Sequence, residues 1–499
     1  MSYRPVTAAV LVASALVLSS CTDDGQDADP EVSREEQLAA DLVSDGSVVI
    51  ADSDDTGTEV SQQFFESSDT VVVSSAEKDD QLQAAAIAID LGAPMLTQQE
   101  ESSPAVDAEV QRLGAERVIE VGTGSEQDDE DLQAIEDTAA LTAEDGHEVA
   151  AVAEAGEQTH DGGSSTPIFV TELTSRAAAA TAAASKLPLT VLPYADPRVT
   201  SESIAQVDGH DAVALGQQFG DTEHFRDVIS LAGNGELPGG GGLVFPGRRM
   251  IALYGHPSGP ALGQMGEQPP AESVDVVNQY VEEYKAFSDE QVIPAFEIIA
   301  TVASEHPGDD GNFTNEFDPA ELEPYIDAIV DAGGYAVIDL QPGLTTFKEQ
   351  ALLYEDLLKR PNVGLALDAE WKLQPGQAPA AQVGSADAAE INEVTEWLAD
   401  LTRENNLPQK ALIVHQFQVA MLPDRENIDT SRPELSFILH ADGHGSPGQK
   451  YDTWNVLREG LDPGFFLAWK NFIDEDEPMF TPEQTYNEVD PRPWFVSYQ

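Results

Sequence analysis

From about residue 247 onward the chain repeats one unit: an apolar run rich in β-branched and aromatic residues, then a stretch with helical periodicity. The runs are Met250 to Tyr254, Val292 to Val302, Tyr335 to Leu340, Val363 to Leu367, Ala411 to Val414, Leu435 to Leu439, Phe465 to Trp469 and Trp494 to Tyr498, eight in all. Helical spacing fills Glu272 to Phe287, Pro319 to Ala332, Phe347 to Lys359, Ala386 to Asn405 and Lys450 to Leu461. Strands that alternate with helices run parallel, because each helix carries the chain back across the sheet. Eight such units in about 250 residues are what a (β/α)₈ TIM barrel requires, so residues 249–499 are expected to form one. No helix follows the eighth run, which leaves closure to a terminal strand.

In such barrels chemistry gathers at the carboxyl ends of the strands, where the βα loops converge. Those ends offer Tyr254 and His256, Glu297, Asp339 and Gln341, Asp368 and Glu370, His415 and Gln416, His440, Asp442 and His444, Trp469 and Lys470, and Tyr498. Burying carboxylates costs several kcal/mol each, in order of magnitude, unless they are paired, so a ring of them points to a site. The alternative is a salt-bridged rim on an acidic protein. Asp368 and Glu370 lie two apart at a strand end, which turns both to one side, and one charge would raise the other's pKa. That is how one carboxyl stays protonated as a general acid near neutral pH.

Gly364-Leu365-Ala366-Leu367-Asp368-Ala369-Glu370-Trp371 resembles the fourth strand of barrel glycoside hydrolases, the "DGxDxDxE" of chitinase-like family 18 or the "DxE" of family 25 muramidases. Val363 and Ala366 stand where the chitinase pattern has carboxylates, so the final Asp and Glu carry the likeness. It implies Glu370 as general acid, Asp368 as its electrostatic partner, and Asp339 or Glu297 as the second carboxylate of a two-carboxylate mechanism. Trp371, Trp469 and Tyr498 would then face sugar rings, with Glu297, His256 and Gln416 among the groups touching substrate. A competing constellation is His440-Ala441-Asp442-Gly443-His444, two imidazoles and a carboxylate at the end of the sixth strand. With His415 it could hold a divalent cation that activates water for amide or ester hydrolysis. No other cofactor is implied, and no Gly-x-Ser-x-Gly nucleophile motif occurs.

Residues 46–232 also alternate short strands with helices, over a shorter unit. Candidate strands are Ser47 to Ala51, Thr70 to Ser74, Pro94 to Thr97, Arg117 to Val121, Pro167 to Thr171, Leu189 to Leu192 and Asp211 to Leu215. Gly92-Ala93-Pro94-Met95-Leu96 pairs with Lys186-Leu187-Pro188-Leu189-Thr190, marking an internal repeat with a period of about a hundred residues. Asp69-Thr70-Val71-Val72-Val73-Ser74-Ser75, the run Ala84-Ala85-Ala86, Leu91 to Leu96, and Arg112-Leu113-Gly114-Ala115-Glu116-Arg117-Val118-Ile119 resemble the type 2 cell-wall-binding repeat. Two modules stand where three are usual, and the family's basic "R.sG.dRy.Ta" opening is replaced by Asp52-Ser53-Asp54-Asp55-Thr56-Gly57-Thr58. The resemblance implies non-covalent binding of an anionic wall polymer, which here would need local cations or a bridging divalent metal. Residues 233–248 hold Gly239-Gly240-Gly241-Gly242 between Pro238 and Pro246, and without a following Lys-Ser/Thr they read as a linker.

At the start, Arg4 precedes an apolar run from Val6 to Leu18, too short to span a bilayer comfortably and suited to a secretory signal. Leu18-Ser19-Ser20-Cys21 resembles the lipobox of bacterial lipoproteins. It implies a signal peptide over 1–20, lipidation of Cys21, and a protein held by lipid alone on the extracytoplasmic face of the cell membrane. Cys21 is the one cysteine among 499 residues, so no intramolecular disulfide can form. Residues 21–45 read as an acidic tether. The net charge of −67, from 24 Lys+Arg against 91 Asp+Glu, excludes nucleic acid as a partner and opposes adhesion to anionic lipid. The combined expectation is an envelope lipoprotein that binds wall glycan or polymer and hydrolyses glycan at the barrel mouth. Its rivals are a non-catalytic wall-binding protein on a glycosidase-like barrel and a metal-dependent hydrolase.

Overall fold

The computed structural model describes residues 33–99, 103–125, 127–158, 166–379 and 381–499. The expected signal peptide, Cys21 and the first part of the expected tether lie outside the described residues. Among the described residues no helix is long and apolar enough to cross a membrane. The end of the expected tether is ordered: Arg34–Leu42 is a helix, started by a capping box in which Ser33 and Glu36 bond each other's backbone. Ala39 is buried, and Leu38, Leu42 and Val43 pack on the core beside it, so this stretch belongs to the folded domain. The i, i+4 spacing of Leu38 and Leu42 within an acidic segment is the stripe that docks it.

The N-terminal half contains β1 (Val48–Ile50), β2 (Thr70–Ser74), β3 (Met95–Thr97), β4 (Arg117–Val121), β5 (Ile168–Val170), β6 (Leu189–Val191) and β7 (Val213–Leu215). They form two parallel sheets, ordered β3-β2-β4 and β6-β5-β7-β1. The sequence repeat is thus a structural one: β2 and β5 are central, with β3 and β6, then β4 and β7, on equivalent sides. The helices after the two central strands, Lys78–Leu91 and Arg176–Ala184, pack against each other. Their buried faces are alanines, including Ala84, Ala85, Ala88, Ala178, Ala179 and Ala182, which let two helices approach closely. Each repeat leaves its helix through a left-handed residue, Gly92 at φ 62° and Lys186 at φ 63°.

The barrel follows as β8 (Arg248–Gly255), β9 (Gln291–Ala303), β10 (Thr314–Glu316), β11 (Tyr335–Leu340), β12 (Val363–Asp368), β13 (Lys410–Gln416), β14 (Leu435–Ala441), β15 (Phe465–Asn471) and β16 (Phe495–Tyr498). Eight parallel strands close in the order β8-β9-β11-β12-β13-β14-β15-β16, with β16 returning to β8, while β10 adds an antiparallel hairpin to β9. Alternation sorts the side chains. Met250, Ala252, Ile293, Ala295, Val337, Ala366, Ile413 and Phe495 fill the lower interior. Ile251, Leu253, Phe296, Ile338, Leu365, Leu412 and Val496 face the helices.

Residues 233–248 are not the flexible linker their composition implies. Leu237, Val244 and Phe245 enter the interior cluster and close the barrel's lower end. The Arg248 guanidinium gathers this loop by donating to the carbonyls of Pro238, Gly240 and Gly241. Gly241 has φ +74°, and a Cβ there would lie 2.4 Å from the Val199 carbonyl, so glycine serves close approach of two backbones. The same face carries the N-terminal domain. Arg198 donates to the Pro433 carbonyl at 2.8 Å, Gln409 N–H donates to the Gly242 carbonyl at 3.0 Å, and Tyr194 meets Trp494 edge to face. Gln409 and Pro433 precede β13 and β14, which puts the N-terminal domain opposite the barrel mouth.

The acidic opening at Asp52 is a packed turn. The Asp52 carboxylate accepts from Gly57 N–H at 2.8 Å and from the Ser175 hydroxyl at 2.5 Å. Burial, with the charges of Asp54 and Asp55 adding to it against those hydrogen bonds, raises its pKa to about 6. A carboxyl that holds its proton more tightly when folded contributes stability below about pH 4 that is lost as pH rises through about 6. Asp52→Asn is therefore expected to stabilise the protein by about 1–3 kcal/mol at pH 7.5 and to change little near pH 4. Urea unfolding at the two pH values measures this, and an equal effect at both would show that charge is not the cause.

Candidate active site at the barrel mouth

Above the apolar floor the same alternation turns polar. The inward positions are Tyr254 on β8, Glu297 on β9, Asp339 on β11, Asp368 on β12, His415 on β13, His440 on β14, Lys470 on β15 and Ser497 on β16, each buried. Asp442 follows β14 on the same face as His440. One residue from each strand thus converges on a single point.

His415 is the centre of this layer. Its Nε2 bonds Glu297 Oε1 at 2.7 Å and its Nδ1 bonds Asp442 Oδ2 at 2.9 Å. His440 Nε2 meets the Ser497 hydroxyl at 3.0 Å, and its Nδ1 lies 3.5 Å from the Glu297 oxygen that His415 binds. The Tyr254 hydroxyl donates to Asp339 Oδ2 at 2.7 Å, and Lys470 Nζ sits 3.4 Å from the centre of the Tyr254 ring. Three buried carboxylate oxygens here have no protein partner: Glu297 Oε2, Asp339 Oδ1 and Asp442 Oδ1.

These contacts split the carboxyl groups into two kinds. Burial alone would raise Glu297, yet the adjacent His440 and His415 imidazoles hold it far below the usual carboxylate range. Burial likewise opposes ionisation of Asp442, and the His415 hydrogen bond and charge, with Lys470, keep it low. His415 overcomes its own burial through Glu297, Asp339 and Asp442 and is raised well above an ordinary histidine, so both ring nitrogens donate. Burial keeps His440 lowered. In the other direction, burial raises Asp339 to about 6, with the His415 charge opposing and the Glu297 charge adding. Asp368 is raised well above its usual value by burial and by Asp339, Asp442 and Glu370, against His415. Glu370 is raised to about 7, first by burial and then by Asp442, with Lys470 and His415 opposing.

A cavity of about 410 Å³ opens over this layer. Its walls include Tyr254, Asp368, Glu370, Asp442 and Lys470, with apolar faces from Trp371, Phe417 and Phe472. Asp368 and Glu370 both reach it, as their spacing implies. Glu370, however, sits on a 3₁₀ turn, Ala369–Trp371, capped by Asp368, whose Oδ1 accepts from the Glu370 N–H at 3.1 Å.

Several expected site residues point elsewhere. Lys470 faces inward, so Trp469 faces outward, wedged against Trp454 and Phe480 with its Nε1–H donating to Asn471 at 2.9 Å. Ser497 faces inward, so Tyr498 faces the helices, stacked 4.0 Å from Tyr280 and bonded to the Tyr284 hydroxyl. Gln416 is outward for the same reason and accepts from Arg425 at 2.7 Å. His256 lies past the end of β8, packed 4.0 Å from the Phe317 ring, and does not reach the cavity. Asp339 and Glu297 are at the site but beneath the cavity wall. Tyr254 and Lys470 were visible at strand ends without an assigned role, and His415 only as a possible metal ligand; strict period-two counting from the apolar floor picks all three out, as it does Ser497.

The expected metal trio of His440, Asp442 and His444 does not assemble. His444 is exposed on the rim beside Phe472, His440 points down to Ser497, and Asp442 on the cavity wall is bonded to His415. Two other sets bring donor atoms within 4.8 Å of one another, Glu297 with His415 and His440, and Asp368 with His415 and Asp442. Such buried groups could hold a divalent ion. As arranged, both His415 nitrogens are bonded to carboxylates, so an ion would have to displace the His415 proton.

No family model matches the chain, and no curated protein matches it. Among solved structures, a mutant of cellobiohydrolase Cel6A from Humicola insolens in complex with methyl-tetrathio-alpha-D-cellopentoside matches at 11% identity over 44% of this chain and 60% of that one, with a TM-score of 0.19. The same cellobiohydrolase in complex with glucose and cellotetraose matches at 12% identity over 44% and 61%, with a TM-score of 0.18. The chain thus spans about three-fifths of the length of the structures it matches. The barrel assignment rests on the closed strand order itself.

His415→Leu should leave Glu297 and Asp442 buried without their cation and destabilise the protein by about 3–5 kcal/mol at pH 7. Without the imidazolium, burial raises both carboxyl groups, and the cost of a raised carboxyl is relieved as pH falls through its folded value toward its ordinary one, so the deficit should shrink toward pH 4.5. Urea unfolding of both proteins at pH 7 and pH 4.5 tests this, and a deficit independent of pH would assign the loss to packing.

Proposed function

We propose that this chain is a glycan hydrolase of the bacterial cell envelope, with the barrel mouth as active site and Glu370 as general acid. The observation that carries the reading is that two carboxyl groups on one cavity wall are driven apart in protonation: Glu370 raised to about 7, Asp442 held ionised. Divergent environments of this kind are how acid and base roles are divided at neutral pH. Trp371, Phe417 and Phe472 add the apolar faces on which sugar rings pack.

The sequence features of the N-terminal half support a place for this activity. The likeness to wall-binding repeats supports retention on an anionic wall polymer. The lipobox-like Leu18-Ser19-Ser20-Cys21 supports a lipid anchor on the outer face of the cell membrane. Because the N-terminal domain docks on the floor of the barrel, a polymer held there leaves the mouth free to meet glycan.

The test is release of reducing ends from purified bacterial cell wall by the soluble form beginning at Thr22, beside Glu370→Gln. The wild type should release reducing ends, and the variant should be slower by about 100- to 10,000-fold. Only protonated Glu370 can deliver a proton, so release should decline as pH rises through about 7. Release abolished by a chelator would favour the metal-dependent reading, for which the two donor sets sharing His415 speak. Co-sedimentation with wall but no release would make the barrel a binding module.

A further inference from the structure

Resting on the hydrolytic reading, we infer that Asp442 is the second carboxylate of the reaction and that His415 and Glu297 are its positioning residues. The sequence resemblance points instead to Asp339 or Glu297 for that role, with Asp368 as the partner of the acid. The geometry removes each of them in turn.

Among the described residues three carboxyl side chains line the cavity: Asp368, Glu370 and Asp442. Asp339 and Glu297 lie below its wall, the first bonded to Tyr254 and the second to His415, and so touch substrate only if the floor moves. Asp368 is committed to the turn that presents Glu370, with Oδ1 on the Glu370 N–H. Asp442 is held from the other side, by an imidazole and not by the backbone of the acid's own turn. One oxygen, Oδ2, is fixed by His415 Nδ1, and the other, Oδ1, has no partner in the protein although it is buried. A buried carboxylate oxygen left without a donor costs free energy in the resting protein, and a substrate or its attacking water supplies the missing donor.

The rest of the layer fits that assignment. His415 is anchored at its far nitrogen by Glu297, which fixes the ring plane and keeps an N–H facing Asp442. Lys470 adds a cation on the cavity wall, above Tyr254. Asp442, His415 and Glu297 thus form one line running from the cavity to the barrel axis, and only its outer end meets substrate.

The step balances as a hydrolysis. The bond between the anomeric carbon and the leaving oxygen breaks, and that oxygen takes the Glu370 proton. A water oxygen bonds to the anomeric carbon while Asp442 takes one of its protons. One water is consumed, Glu370 is left ionised and Asp442 protonated, and exchange with solvent restores both.

The experiment measures product release from purified bacterial cell wall by the Thr22-onward protein, with Asp442→Ala, Asp442→Asn, His415→Gln and Glu370→Gln beside the wild type. Asp442→Ala should lose about 1,000-fold or more, and sodium azide should restore turnover by attacking the anomeric carbon in place of the activated water. The rescued product is then a glycosyl azide, identified by mass, in place of a reducing end. The near-isosteric Asp442→Asn should be equally slow with an unfolding midpoint near the wild-type value, which separates loss of chemistry from loss of fold. His415→Gln should lower kcat with little change in KM and move the acidic limb of the pH profile upward, because Asp442 loses its imidazolium. Wild-type release that survives Asp442→Asn while Glu370→Gln is inactive overturns the assignment of Asp442 alone. Absence of release by the wild type overturns glycan hydrolysis and this assignment together.

Discussion

A protonated histidine buried between two carboxylates, Glu297 and Asp442, is what allows this barrel to keep an acidic interior. Bringing Glu297, Asp339, Asp368, Glu370 and Asp442 to one end of eight strands would be prohibitive if all five were charged and unpaired. The structure divides the load. His415 and Lys470 stabilise two groups as anions, and burial pushes Asp339, Asp368 and Glu370 toward the neutral form. The protonation pattern that makes the layer tolerable is also the one acid–base chemistry needs. Stability and the proposed activity therefore draw on the same imidazolium.

The lower half of the molecule is built to leave that layer undisturbed. The interior below it is apolar, and the loop carrying Leu237, Val244 and Phe245 closes it from beneath. The glycines of this loop allow the backbone to pass close to Val199, and Arg248 collects the carbonyls that the turn leaves free. A segment that looks like a hinge by composition is the joint that fixes one domain to the other. The second domain meets the barrel on its floor, and the mouth stays open.

Much of this was legible in the chain. The eight barrel strands and their order followed from runs of apolar residues, because a strand buried on both faces has no polar position to spare. The two-module repeat was visible in the pairing of residues 92–96 with 186–190, and it reappears as two sheets with equivalent central strands. Composition misled at residues 233–248, where glycine signified backbone contact, and at residues 34–42, where Leu38 and Ala39 outweigh the acidic neighbours. At the mouth, collecting every polar residue near a strand end mixed the two faces. Trp469, Tyr498 and Gln416 went outward by one residue of phase.

The sequence by itself determined which strands exist, which residues alternate along them, and that Asp368 and Glu370 lie together, since these are local properties of period and spacing. It could not determine that His415, from the fifth barrel strand, would bridge Glu297 from the second and Asp442 from the sixth. That depends on how far the strands tilt and stagger when the sheet closes, which is set by packing around the whole ring. Nor could it decide protonation. A carboxyl's pKa depends on what surrounds it in space, and Glu370 and Asp442 acquire opposite states only once closure has put one against burial and the other against an imidazolium.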